Sequence, residues 1–195
     1  MERSGILCAG AWCVDHNFSI ERWPEEETLA KIITESFHGG CPGHNMSSAL
    51  KRLGAPFPVE GMGLLGNDAD GQFLLRICDE LGIERSALEI RPSVKTARTL
   101  AMTAIPTGKR TFFYSGGAHA AQTPDDFDFS KTSARIAHLG LPGVHEQSGL
   151  PGLRDGEEDA IPGLPDDEEA RAYAVQAAGA VTEKKARKGV PRLAL

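Results

Sequence analysis

Gly39-Gly40-Cys41-Pro42-Gly43-His44-Asn45 runs into Ala49-Leu50-Lys51-Arg52-Leu53-Gly54, and Gly66-Asn67-Asp68-Ala69-Asp70-Gly71 follows. A glycine turn stands before one apolar helix, and a polar glycine loop stands before a second. Glycine lets a backbone approach a ligand closely. The start of a helix presents unpaired N–H groups to an oxygen-rich ligand. Two such places close together in sequence read as a binding face.

The first helix is expected over residues 45–53. Met46, Ala49, Leu50 and Leu53 fall on one face, and Gly54 stops it. Residues 59–65 read as a strand. A second helix opens at Asp70 or Gly71, carries Phe73, Leu74, Ile77, Cys78 and Leu81 as its apolar stripe, and ends at Gly82. Upstream, residues 6–14 read as a buried strand, with Asp15-His16-Asn17 at its C-terminal end, where ligands sit in open α/β sheets. Residues 29–34 form a weaker strand candidate. The order β-α-β-α is that of a parallel sheet covered by helices. Residues 99–105 and 111–114 flank Pro106-Thr107-Gly108-Lys109-Arg110 and read as a hairpin, hence a separate small sheet such as a lid. Gly116-Gly117-Ala118-His119 and Thr123-Pro124-Asp125-Asp126 read as loop, and residues 135–141 as a returning buried strand. Residues 146–165, rich in Gly, Pro, Asp and Glu, read as linker or disorder, and residues 166–195 as a C-terminal helix and tail.

Composition narrows the function. The chain has 195 residues, 41% hydrophobic and 25% charged, as in an ordinary soluble domain. Its net charge of −6 and the lack of a long Lys/Arg block argue against nucleic acid as a partner. No run approaches the ~18 apolar residues of a membrane helix. The apolar run of residues 5–14 is short, ends at Asp15 and lacks a cleavage site, so it reads as a strand rather than a signal peptide. Cys8, Cys13, Cys41 and Cys78 show no zinc spacing and fit free thiols in a reducing cytoplasm, so the localisation expected is cytoplasmic.

Several residues carry competing readings. Gly61-Met62-Gly63-Leu64-Leu65-Gly66 fits G-x-G-x-x-G, which would suggest an NAD(P)-dependent oxidoreductase. However, a further polar loop intervenes before the helix, and this is already the second strand. Asp15 is either a turn residue or a carboxylate for substrate hydroxyls. His44 and His119, in glycine loops, read as solvated rather than catalytic, and no carboxylate is placed beside them. Asp125, Asp126 and Asp128 more simply open a helical turn than bind metal. No metal site is expected.

Taken together these residues resemble the ribokinase-like (PfkB) family of carbohydrate kinases. The resemblance is carried by the strand ending at Asp15, by Gly39-Gly40…Asn45…Leu53-Gly54, and by Gly66-Asn67-Asp68-Ala69-Asp70-Gly71. It continues through Arg98-Thr99-Leu100, Gly116-Gly117-Ala118-His119…Thr123-Pro124-Asp125 and His138-Leu139-Gly140. It implies a Rossmann-like three-layer α/β fold with a small β lid, of which residues 1–145 would be the N-terminal, sugar-binding half. The lid strands would lie at about 29–37 and 98–114 and would offer a homodimer surface. The resemblance further implies Asp15, Gly39, Gly40 and Asn45 as substrate-binding residues for a sugar, with ATP and Mg²⁺ as cofactors.

The family's Asp-Thr-x-Gly-Ala-Gly-Asp segment, which carries the catalytic base, does not occur in these residues. No catalytic residue is therefore assigned, and turnover by this chain alone is not expected. The tail, with Ala177-Ala178-Gly179-Ala180-Val181-Thr182, resembles the family's final helix. Internal deletion and frameshift both account for such a chain. A non-catalytic sugar-binding or dimerising module is the alternative reading.

Overall fold

The computed structural model describes residues 3–140, so the expectations for residues 146–165 and 166–195 lie outside the described residues. Two four-stranded sheets organise the chain.

The first sheet is parallel throughout. Strands β1 (Ile6–Gly10), β4 (Val59–Gly66), β5 (Glu84–Arg91) and β8 (Ile136–Gly140) lie in the order β5-β4-β1-β8. β4 is buried along its whole length, as expected of a strand covered on both faces. β5 was not expected from the sequence. Its Glu84, Arg85, Glu89 and Arg91 interrupt the apolar run, and only Leu88 is fully buried. β8 confirms the returning strand, at the edge of the sheet among the described residues, where most of it is only half-buried.

Helices α1 (Cys41–Arg52) and α2 (Ala69–Leu81) cover one face of this sheet. Leu74, Leu75 and Cys78 of α2 pack with Leu65, Leu88 and Trp12. On the other face, Phe127 and Phe129 beside two 3-10 turns pack against Leu7, Ala9 and Met62. There the buried Glu60 carboxylate accepts hydrogen bonds from the hydroxyls of Thr132 (2.5 Å) and Ser133 (2.9 Å). The result is the three-layer α/β arrangement expected.

The second sheet is the lid. Strands β2 (Cys13–Ile20), β3 (Ile32–Gly40), β6 (Ala97–Ala104) and β7 (Arg110–Ser115) are ordered β3-β2-β6-β7. The β6–β7 hairpin agrees with the sequence reading, its loop holding Gly108 at φ 64°. Two expectations are corrected here. Residues 6–14 are not one strand: Gly10, at φ 108°, breaks it, and Asp15 is the third residue of β2 rather than a residue at the end of β1. The strand placed at 29–37 begins at Ile32 and continues through Gly39 and Gly40, because both glycines pair with β2. The glycine pair is thus the end of a lid strand and not a loose turn.

Only Ala11 and Trp12 separate β1 from β2. Trp12 is fully buried, and its indole N–H donates to the Met62 carbonyl at 3.1 Å. A side chain at Gly43, Gly61 or Gly63 would collide with its ring. Two glycines of the G-x-G-x-x-G string therefore make room for a tryptophan, and the whole string lies inside β4.

Candidate functional site

The two sheets meet where β3 passes into α1. Cys13 pairs with Gly40, and Asp15 lies opposite His38 on one side and Thr99 on the other. Thr99 in turn pairs with Tyr114. His38, Asp15, Thr99 and Tyr114 thus form one row across the lid, with their side chains on one face. Asn17, two residues along, shares that face and donates its side-chain amide to the Asp15 carbonyl at 3.3 Å.

The Asp15 carboxylate lies directly against Gly40, where an added methyl group would overlap it. Gly40 is the N-cap of α1 and has an extended backbone. Its lack of a side chain leaves the first turn of the helix without a side-chain cap, beside a carboxylate. Gly39 is closed off from behind by the His44 ring. Asn45 lies one turn into α1 and is exposed, with its Oδ1 3.4 Å from His44 Nδ1. Asp15, Gly39 and Gly40 therefore meet in one place, and Asn45 stands on the helix that leads away from it.

Two histidines depart from expectation. His44 is buried in α1 rather than solvated in a loop: the Ser48 hydroxyl lies 3.1 Å from Nε2, and the ring meets Trp12 edge-on at 5.8 Å. Burial holds its pKa below the usual histidine value. The buried face of α1 is Gly43, His44, Ser47 and Ser48, whereas Leu53 is 85% exposed. Small residues let the helix approach the sheet and Trp12, which overrides the apolar stripe expected there. His119 is buried in a short helix, α3 (Gly117–Ala121), and its Nδ1 lies 2.7 Å from the Tyr114 hydroxyl. Burial, with Cys41 and Cys13 close by, pushes the Tyr114 pKa up to about 12. Tyr114 thus reaches the same corner as Asp15, and strand alternation would have placed it there once β2, β6 and β7 were known to pair.

The second glycine loop has a structural task. Asp68 caps α2, accepting from Gly71 N–H at 2.9 Å, and also binds the Thr96 hydroxyl (2.7 Å) and N–H (2.9 Å). Burial pushes its pKa up, but the bonds from Thr96 and Gly71 outweigh burial and hold the carboxyl below its usual range. Asp70, in the first turn, meets His16. As for the acidic trio, Asp126 pairs with Arg91 and accepts from Thr123 N–H at 2.7 Å, and Asp128 binds Ser130 N–H at 3.1 Å.

Residues 4–144 match the pfkB family carbohydrate kinases. The chain belongs to that family. It is 28% identical over 129 residues to a bifunctional ribokinase/ribose-5-phosphate isomerase A of Fructilactobacillus sanfranciscensis, covering 66% of this chain and 23% of that protein. Among solved structures, a Methanocaldococcus jannaschii nucleoside kinase of the ribokinase family superposes with a TM-score of 0.60 at 22% identity, over 78% of this chain and 50% of that one. Ribokinase from Thermotoga maritima gives a TM-score of 0.61 at 19% identity, over 69% and 44%. The fold is therefore that of the ribokinases. This pfkB-family chain spans half the length, or less, of these relatives. No helix among the described residues is long and apolar enough to cross a membrane.

Proposed function

We propose that this chain is the sugar-facing half of an ATP-dependent carbohydrate kinase, in which Asp15 and the Gly39-Gly40 backbone receive sugar hydroxyls and Asn45 adds a further contact. The observation that carries this reading is the Asp15 carboxylate lying against the side-chain-free N-cap of α1. A carboxylate accepts hydrogen bonds from hydroxyls, and the Cys41 N–H at the first position of α1 would donate to their oxygens, Pro42 having no N–H and Gly43 giving its own to the Ala11 carbonyl at 3.1 Å. Together they suit a ligand whose groups both donate and accept. Lid strands β2 and β3 supply Asp15 and the glycine pair to this corner, and a lid closing over a sugar would exclude water.

ATP and Mg²⁺ are implied by the family. ADP accompanies a solved ribokinase from Cryptococcus neoformans, and ATP a fructokinase from Xylella fastidiosa. Among the described residues, however, no grouping of three or more His, Cys, Asp or Glu side chains is placed to hold a cation. Magnesium bound with a nucleotide takes its ligands mainly from phosphates and water, with one or two carboxylates from the protein.

Thermal melting of the purified chain against a panel of pentoses, hexoses and nucleosides tests the reading. A rise in melting temperature with one class, lost in Asp15→Asn, is expected, without need of ATP. Stabilisation by ATP but by no member of the panel would overturn it. Robust phosphorylation on adding ATP and Mg²⁺ would show that the chain does not need the absent segment.

The second reading, a dimerising module, is favoured by the outer lid. Trp23 stacks on Phe113 (ring centroids 6.2 Å apart), and both, with Phe37, are about half exposed. Light scattering would give twice the monomer mass for the native chain and a monomer for Phe113→Ser.

A further inference from the structure

The Gly66–Gly71 loop holds more than its own helix. Asp70, in the first turn of α2, lies 3.0 Å from His16 Nε2. An ionised carboxylate only accepts, so the His16 N–H donates. His16 is the fourth residue of β2, and its ring also meets Phe37 of β3 edge-on at 4.7 Å. Two residues before Asp70, Asp68 accepts from the Thr96 N–H at 2.9 Å and the Thr96 hydroxyl at 2.7 Å, where the chain enters β6. Thr96 is buried, and a methyl group added at Gly66 or Gly71 would collide with it. Two carboxylates of one loop therefore grip the two central strands of the lid, β2 and β6.

The grip lies behind the candidate sugar site. Asp15 and His16 are consecutive, about 3.8 Å apart at Cα, with side chains on opposite faces of β2. Phe37 stands two residues before Gly39 on β3. The His16 ring thus braces from behind both strands that bring Asp15 and the glycine pair together. Asp70 meets the lid on the face away from Asp15, so it acts through His16 and not by touching a ligand.

We propose that Asp70 and Asp68 are positioning residues, which seat the lid on the start of α2 and so hold Asp15 against Gly40 in the pose that receives sugar hydroxyls. The effect on the sugar rests on the reading given above, whereas the seating of the lid stands without it. A binding constellation must be held to within about 0.5 Å, so even a small shift of β2 and β3 against α1 costs affinity. The apparent affinity falls in proportion to the time that the competent pose is lost.

Hydrogen–deuterium exchange of the full chain, read by mass spectrometry, tests the seat without any ligand. In Asp70→Ala the amides of β2 and β3 should exchange about tenfold faster, as loss of one charge-assisted bond implies, while β1 and β4 keep the native rate. Asp70→Asn, which keeps an oxygen for the His16 N–H, should restore most of the protection. Asp79→Ala, which removes an exposed acid farther along α2 that pairs with Arg85, should leave the lid native. His16→Ala combined with Asp70→Ala should exchange no faster than either alone, because both remove one bond. Thr96→Val, which takes the hydroxyl from Asp68, should loosen β6 in the same way and gives a second reading where Asp70→Ala does not fold. Acceleration spread evenly over lid and body, or confined to α2, would overturn the seat.

With a sugar that stabilises the native chain, the apparent Kd should rise about tenfold in Asp70→Ala and return toward native in Asp70→Asn. An unchanged Kd would overturn the positioning role. A lid loosened as expected, with no sugar bound even by the native chain, would count against the sugar reading and leave the seat standing.

Discussion

His16 Nε2 and Asp70 Oδ1 meet at 3.0 Å, joining the central strand of the lid to the first turn of α2. Asp15 and His16 are neighbours in sequence, yet strand alternation sends them to opposite faces, one to the helix α1 junction and the other to α2. Both partners of the His16–Asp70 pair are mostly buried, with side chains 14% and 17% exposed. Asp70→Ala should therefore cost about 1–2 kcal/mol, more than a surface pair would. Asp70→Asn, which keeps an acceptor, should cost less. Urea unfolding of the two variants checks the order.

Asp68 should make stability fall in acid. Its carboxyl is held below the ordinary range by Thr96 and Gly71 against the opposing effect of burial. Its contribution is thus fully present above the pKa of an unfolded aspartate and is lost as pH falls toward the lower, folded value. Asp68→Ala should lower stability at neutral pH by about 1–2 kcal/mol, as loss of an N-cap does. It should also flatten the acid limb of a melting temperature plotted against pH. An unchanged acid limb would contradict the assignment.

Gly40→Ala tests the junction. The new methyl group would occupy the position of the Asp15 carboxylate, which must turn away. Overpacking of this kind costs about 1–3 kcal/mol. Any sugar-dependent rise in melting temperature should vanish in this variant while the circular dichroism spectrum stays native. Persistence of that rise would separate Asp15 from the ligand.

Trp12 should be among the costliest residues to truncate. It is fully buried between α1, α2 and β4. Trp12→Ala should cost about 3–5 kcal/mol. Gly61→Ala, which drives a methyl into the same ring, should be destabilising by about 1–3 kcal/mol. Chemical denaturation of each variant measures both.

The sequence carried the periodic elements well. α2 opens and closes near where its capping Asp68 and Gly82 stand, and β4 reads as a continuous apolar run because both its faces are covered. Elements whose burial is set from outside were not legible. β5 is rich in exposed residues and shows no strand's apolar signature, whereas β3 shows one only at its start, and its pairing through Gly40 is not marked in the sequence. α1 buries glycine, histidine and serines because of Trp12, a residue far away in sequence. For the site, the glycine pair and Asp15 were found, but not their shared corner with Cys13, Cys41 and Tyr114. Cross-strand pairing creates that corner, and pairing leaves no mark in the local sequence.

The clamping of Trp12 makes the lid a lever with a fixed root. At about 3.3 Å per residue, Asp15 sits only about 10 Å along β2 from that root, whereas Ile20 sits about 26 Å away. A swing of the lid thus moves its tip more than twice as far as its carboxylate. Any swing of the lid about this root would displace Asp15, which pairs with β3 close to the Gly40 junction, far less than Ile20 at the tip.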